Sequence, residues 1–164
     1  MKTKTERAQQ QRQTLRVNEE KWTKPLMDAG WTALPSVILE RQQALGLDAT
    51  DLNILLHLAK HWWTADNHPY PSKGSIATCM GIDPSTVRRR IARMEADGLI
   101  LRKERFHKGS GGQLTNQYIF AGLIQHATPY ALEYIQDRRL KREERIARQT
   151  RKKPKLQVLT GGKK

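Results

Sequence analysis

The sequence predicts a mostly α fold of the α+β class, with helices set back to back through its middle and one two-stranded hairpin after them. Three observations carry this. Apolar residues recur at helical spacing from Asp48 to Trp63 and again from Asp83 to Ala96. Each of those runs opens on a capping residue, and Gly81 and Gly98 stand where a helix has to stop. After Gly98 the period changes to two, in LILRKER and NQYIF, with the polar, glycine-rich FHKGSGGQLT between them.

Composition bounds what surrounds these elements. The chain has 164 residues, of which 37% are hydrophobic, and carries a formal net charge of +14. With a mean hydropathy of -0.74, a compact core of ~80–100 residues with solvated arms is expected. No stretch is long and apolar enough for a membrane span, and MKTKTERAQQQRQ lacks the apolar run of a signal peptide, so a cytoplasmic protein without membrane contact is expected. The single cysteine, Cys79, excludes an intrachain disulfide and any multi-cysteine metal site. The charge is unevenly spread. Residues 137–164 hold twelve Lys and Arg against three acids, a net of +9, whereas residues 47–126 hold ten against seven, a net of +3 that includes the run Arg88, Arg89, Arg90. A polyanionic partner accounts for such concentrations better than solubility does.

Read in order, residues 1–20 are almost devoid of apolar side chains and are expected to be a mobile polar arm. Residues 21–47 supply Trp22, Leu26, Met27, Trp31, Leu34, Val37, Ile38 and Leu39, and are expected to dock on the core, with a short helix from Pro35 or Ser36 to about Leu45 that Gly46 stops. Asp48, with Asp51 three residues on, resembles a capping box and opens a helix through about residue 64 whose stripe is Leu52, Leu55, Leu56, Ala59, Trp62 and Trp63. Ser72 caps a short helix, KGSIATCMG. Asp83 caps the next, with Pro84 at its first position.

Ser72 to Gly98 thus reads as a helix-turn-helix, with Ala77 small at the crossing and Gly81 in the turn. At 100° per residue, Val87, Ile91 and Met94 share an inward face of the second helix, Ser85, Arg89 and Ala92 point away, and Thr86, Arg88 and Arg93 flank them. Arg90 lies about 60° from the buried stripe, which suits a phosphate or an acidic neighbour. An arginine fork matches O6 and N7 of guanine, and Ser or Thr can reach base edges or phosphate, so this face suits a major groove. Leu99, Leu101, Tyr118 and Phe120 are expected in the core.

The fragments YPS, CMGIDPSTVRRRI, ADGLI and TNQYIF resemble, in that order, the parts of the winged helix-turn-helix domains of prokaryotic DNA-binding proteins, and the resemblance covers about residues 33–121. It implies a two-stranded wing and binding to double-stranded DNA. Ser72, Lys73, Ser85, Thr86, Arg88, Arg89, Arg90 and Arg93 are the candidate contacts on the helices. Arg102, Arg105, His107 and Lys108 lie on or near the wing, where such proteins touch backbone or minor groove; charge protecting an edge strand weighs equally for part of that set. The wing loop, residues 108–114, is expected to order on DNA.

The expected organisation is therefore 1–20 arm, 21–47 docking segment, 48–126 winged helix-turn-helix domain, 127–153 basic helical extension and 154–164 disordered tail. The extension is expected to neutralise phosphates without reading bases. A homodimer or another protein partner through residues 1–45 or 127–150 stays open, although Arg139 and Arg142 interrupt the heptad seam of Leu132, Ile135 and Ile146. His57 and His61 are four apart with no third ligand evident, Cys79 reads as a small buried residue, and neither a Walker loop, GxGxxG nor a nucleophile elbow is present. No catalysis, cofactor or metal is expected. The leading role is a sequence-specific regulator of transcription; the alternatives are an origin-binding or accessory protein in the replication of a plasmid, phage or mobile element, and a basic scaffold for RNA or ribosomes.

Overall fold

The computed structural model describes residues 4–109 and 111–151. The elements in chain order are α1 (Lys4–Trp22), α2 (Lys24–Asp28), α3 (Ser36–Glu40), α4 (Ala49–Ala59), α5 (Lys73–Met80), α6 (Pro84–Ala96), β1 (Leu101–Lys103), β2 (Gln117–Ile119) and α7 (Ala121–Thr150). β1 and β2 pair antiparallel with Leu101 opposite Ile119, Arg102 opposite Tyr118 and Lys103 opposite Gln117. This is the mostly α winged helix-turn-helix architecture that the sequence predicts. The YPS segment forms no strand; Pro69 O beside it accepts one hydrogen bond from Tyr118 N, at 2.9 Å.

One core joins these elements. Ile54, Leu55 and Leu58 of α4, Ile76 and Ala77 of α5, and Val87, Ile91 and Met94 of α6 meet Leu99, Ile100, Tyr118 and Phe120 from the hairpin and Leu123 and Ala127 from α7. Each large apolar side chain buried this way contributes roughly 1.5–3 kcal/mol. Trp62 covers one side of this core by stacking on Phe120 with ring centroids 5.1 Å apart. α7 is seated by a close backbone joint: Leu123 N donates to Leu99 O at 2.7 Å, and a Cβ on Gly122 would lie 1.8 Å from Gly98 O.

Several expectations are corrected. Within the polar arm expected over residues 1–20, Lys4–Trp22 form α1, whose Gln, Arg, Glu and Lys are good helix formers. Of the segment expected to dock, Trp22, Leu26, Trp31 and Leu39 are exposed while Ile38, Leu45 and Leu47 are buried, and Trp31, Thr32 and Ala33 line a cleft with Trp62 and Trp63. The helix expected from Pro35 or Ser36 to Leu45 ends at Glu40, although Gly46 does close the segment in the left-handed region at φ 69°.

The buried stripe of α4 is Asp51, Ile54, Leu55 and Leu58, about one residue out of phase with the expected one, because the capping box turns Asp51 inward to meet arginines of α6. α4 also ends at Ala59, which leaves Trp63 exposed. Leu101 is exposed on the outer face of β1, and Cys79 is exposed because Ile76 and Ala77 take the inner face of α5. α7 starts at Ala121, ten positions before the expected Ala131, so the boundary placed at 126/127 falls inside one helix that also contains Pro129. Its last helical residue is Thr150, and the tail expected over 154–164 lies outside the described residues.

Candidate nucleic-acid interface

The interface is built from two capped helices and a turn. Ser72 Oγ accepts from Ser75 N at 2.9 Å and starts α5. Gly81, at φ 65°, takes the left-handed position that ends it, and Ile82 N donates to Ala77 O at 3.1 Å to reverse the chain. Asp83 then caps α6 by accepting from Ser85 N at 2.6 Å; those hydrogen bonds to Ser85 hold its carboxyl below the ordinary range. With Val87, Ile91 and Met94 fully buried, α6 presents Ser85, Arg88, Arg89 and Ala92 to solvent, with Thr86 half-buried at its edge.

The arginines of α6 divide sharply. Arg88 and Arg89 form no hydrogen bond or salt bridge among the described residues, so their charges stay available on the exposed face. Arg90 instead pairs with Asp48 and lies 3.7 Å from Asp51 Oδ1. This is the acidic neighbour that its helical phase anticipates. Arg93, on the flank and still exposed, also reaches an acid: it pairs with Asp51 and donates to Gly46 O at 3.3 Å. The physical reason is Asp51, whose side chain is wholly buried and whose charge would be costly without cations.

Asp48 and Asp51 also complete the cap of α4. Asp48 Oδ1 accepts from Thr50 N at 2.8 Å and Asp51 N at 3.0 Å, and Asp51 Oδ2 accepts from Asp48 N at 2.9 Å. Burial pushes the Asp51 carboxyl up, reinforced by the Asp48 charge. For Asp48, burial pushes the same way but is outweighed by hydrogen bonds from Asp51 and Arg90, which leave it lowered. One acidic cap thus clamps α6 to α4 and sets the angle at which Arg88 and Arg89 are displayed.

On the wing, Arg102 is held by Glu95 of α6: its backbone N donates to Oε1 at 3.1 Å and its guanidinium pairs with the same carboxylate. Arg105 stacks over the Tyr70 ring, 4.3 Å from its centroid. Both arginines are therefore positioned rather than free. His107 and Lys108 are exposed near the tip, where His107 N donates to Gly112 O at 2.9 Å and Leu114 N to Arg105 O at 2.8 Å.

Lys73 links the two halves. Its ammonium is destabilised first by burial and then by the charges of Arg102 and Arg88, so cations from α5, α6 and β1 converge there, with Glu95 as a partial offset. Ser72 and Lys73 border a cleft against the wing that Gln113, Thr115 and Asn116 also line. Sequence reasoning missed those three polar residues and Tyr70. They flank the glycine-rich loop and the proline turn, where no periodicity marks a side chain's direction.

A helix-turn-helix whose second helix is clamped from behind, displays two arginines in front and is followed by a two-stranded wing defines the class of fold: a winged helix-turn-helix domain. Residues 45–100 match the family described as helix-turn-helix domain. Among solved structures, the N-terminal domain of DnaD protein from Geobacillus kaustophilus HTA426 is similar to this chain with a TM-score of 0.50 and 17% identity, over 72% of this chain and 94% of that one. That likeness is one of fold. A possible transcriptional regulator from Methanosarcina mazei Go1 aligns at TM-score 0.40 and 19% identity over 67% of this chain and 85% of that one. The transcriptional regulator PA3341 aligns at 0.35 and 16% over 68% and 83%. Among curated proteins none matches the chain. Among the described residues, no helix is long and apolar enough to cross a membrane.

Proposed function

We propose that this protein is a non-catalytic, sequence-specific binder of double-stranded DNA that regulates transcription, entering the major groove with α6 and touching the backbone or minor groove with the wing. The observation that carries this is the division of the arginines. Arg90 and Arg93 are paired with Asp48 and Asp51, whereas Arg88 and Arg89 face solvent beside Ser85 and Ala92 with no salt bridge among the described residues. A solvated helix face gains nothing from that arrangement; a guanine edge does. Lys73, Arg102 and Arg105, placed around the same side, supply phosphate contacts that fix register without reading sequence.

The test is selection of bound sequences from a random duplex library by the full chain. A defined motif, lost when Arg88 and Arg89 are both replaced by Ala in a folded protein, supports the reading. Equal capture of all sequences, or a motif indifferent to that change, overturns it. Placing the motif beside a reporter promoter then tests regulation. The alternative of an origin-binding accessory protein that recruits other factors draws support from one observation, the exposure of Trp22, Leu26 and Trp31 ahead of the core. In that case removing residues 1–33 abolishes replication of a plasmid bearing the motif while DNA binding persists.

A further inference from the structure

α7 changes character half-way along. Its 30 residues span about 45 Å, but only its first turns touch the core, through Leu123, Ala127 and the partly buried Tyr130. From Leu132 to Thr150 every residue is exposed. At 100° per residue, the direction that Leu123 and Ala127 give to the core is continued, beyond the core, by Arg138, Lys141 and Arg145, each within about 40° of it, with Arg142 about 80° away. The helix therefore exchanges an apolar face for a cationic one along a single line.

The charges on this line are not consumed locally. Arg139, well off it, is paired with Glu143 at 2.8 Å, and Arg148, at its edge, lies 3.7 Å from Glu144. Lys141, Arg142 and Arg145 form no salt bridge among the described residues, and Arg138 lies over the exposed Tyr134 ring at 5.7 Å, a contact that leaves its charge intact. A spacing of three and four residues sets these cations roughly 5–6 Å apart on one helix face, close to the spacing of phosphates along a strand. Acidic side chains fall to either side of the line. Exposed Tyr134 opens the line beneath Arg138, but between Arg138 and Arg145 no apolar side chain falls on it to dock a protein, and a polyanion needs only the cations.

We propose that the Arg138–Lys141–Arg145 line of α7 is a second DNA-contacting surface, one that binds the phosphate backbone of duplex DNA regardless of sequence. It rests on the DNA-binding reading above and assigns part of the affinity to a surface outside the helix-turn-helix. Phosphates neutralised by this line release counterions, so the surface has a signature of its own: the slope of log affinity against log salt, about 0.9 per phosphate for duplex DNA.

The experiment compares the full chain with the Arg138→Gln/Lys141→Gln/Arg145→Gln triple variant and with Arg139→Gln, on the selected duplex and on a random duplex, over a salt series. Glutamine keeps helix propensity, and circular dichroism and sedimentation accompany each variant. The triple variant is expected to bind both duplexes more weakly by the same factor, with the salt slope shallower by roughly three units, while Arg139→Gln changes the slope by much less than one. An unchanged slope overturns the proposal. So does a loss confined to the selected duplex, or a loss that tracks a change in oligomeric state, since either makes the line an interface between copies. Failure of the DNA-binding reading looks different: the parent chain then binds neither duplex.

Discussion

Arg89 and Arg90 are adjacent, and their surroundings give them opposite work. Arg89 is exposed and forms no hydrogen bond or salt bridge among the described residues, so Arg89→Ala is expected to leave the melting temperature unchanged and to cost about 1–3 kcal/mol of specific binding, relaxing the preference at one or two base pairs. Titration of the selected duplex and its single-base variants checks this; undiminished affinity removes Arg89 from the interface. Arg93→Ala is expected to do the reverse. It leaves Asp51, wholly buried, with less compensation, and because the guanidinium is itself part-exposed the loss should fall below the roughly 3–5 kcal/mol of a fully buried pair. Denaturant unfolding measures it, and a stability matching the parent would show that the clamp is not needed. Helical phase separates Arg89 from the core and leaves Arg90 within reach of an acid; the pairing of Arg93 with Asp51 is not legible locally, because its partner lies 42 residues away. The same long-range pairing rotated the buried stripe of α4, which short-range periodicity cannot register.

Two joints hold the elements that frame the interface. At the first, Glu95 of α6 binds Arg102 of β1. Burial works to raise the Glu95 carboxyl, but the Arg102 hydrogen bonds outweigh it and leave the folded value below the ordinary 4.5. A depressed acid contributes stability that is present above its unfolded value and is lost as pH falls through the folded one. Protein stability, followed by unfolding at pH 6 and at successively lower pH, should therefore fall more in the parent than in Glu95→Gln, the difference opening below about pH 4.5. Parallel curves would contradict this. At the second joint, Gly122 lets α7 approach Gly98, and Gly122→Ala puts a methyl into a backbone oxygen that has no flexible end to move. It is expected to destabilise the domain by about 1–3 kcal/mol, read as a lowered denaturant midpoint with an unchanged slope; an unaltered midpoint would mean that α7 shifts freely. Capped helices and the hairpin were legible because each carries its start and stop in a few adjacent residues. The early start of α7 was not, since Gly122 and Pro129 both read locally as breakers, and only contact with the end of α6 makes a glycine useful there.

At the scale of the whole molecule, the core and the charged appendages divide more sharply than composition suggests, and the division can be tested by where the chain tolerates a cut. Trp22, Leu26 and Trp31 are the apolar anchors that drew residues 21–33 into the expected docking segment, yet all three are exposed. Ile38, Leu45 and Leu47 are buried, and Leu34 and Val37 pack against the same cluster. A chain lacking residues 1–33 therefore gives up little buried apolar surface. It is expected to unfold cooperatively within about 1 kcal/mol of the parent, a shift of no more than about 4–8 °C in Tm for a domain near this size, and to keep its affinity for the selected duplex. A chain lacking residues 1–47 removes all five anchors. At roughly 1.5–3 kcal/mol for each fully buried side chain, against a total stability of only about 5–15 kcal/mol, it is expected not to fold. Thermal melts and duplex titrations of the two truncations decide the matter. A longer truncation that melts like the parent would show that α3 and the turn after it are an appendage too; a shorter one that fails to fold would restore Trp22, Leu26 and Trp31 as anchors of the docking segment expected over residues 21–47.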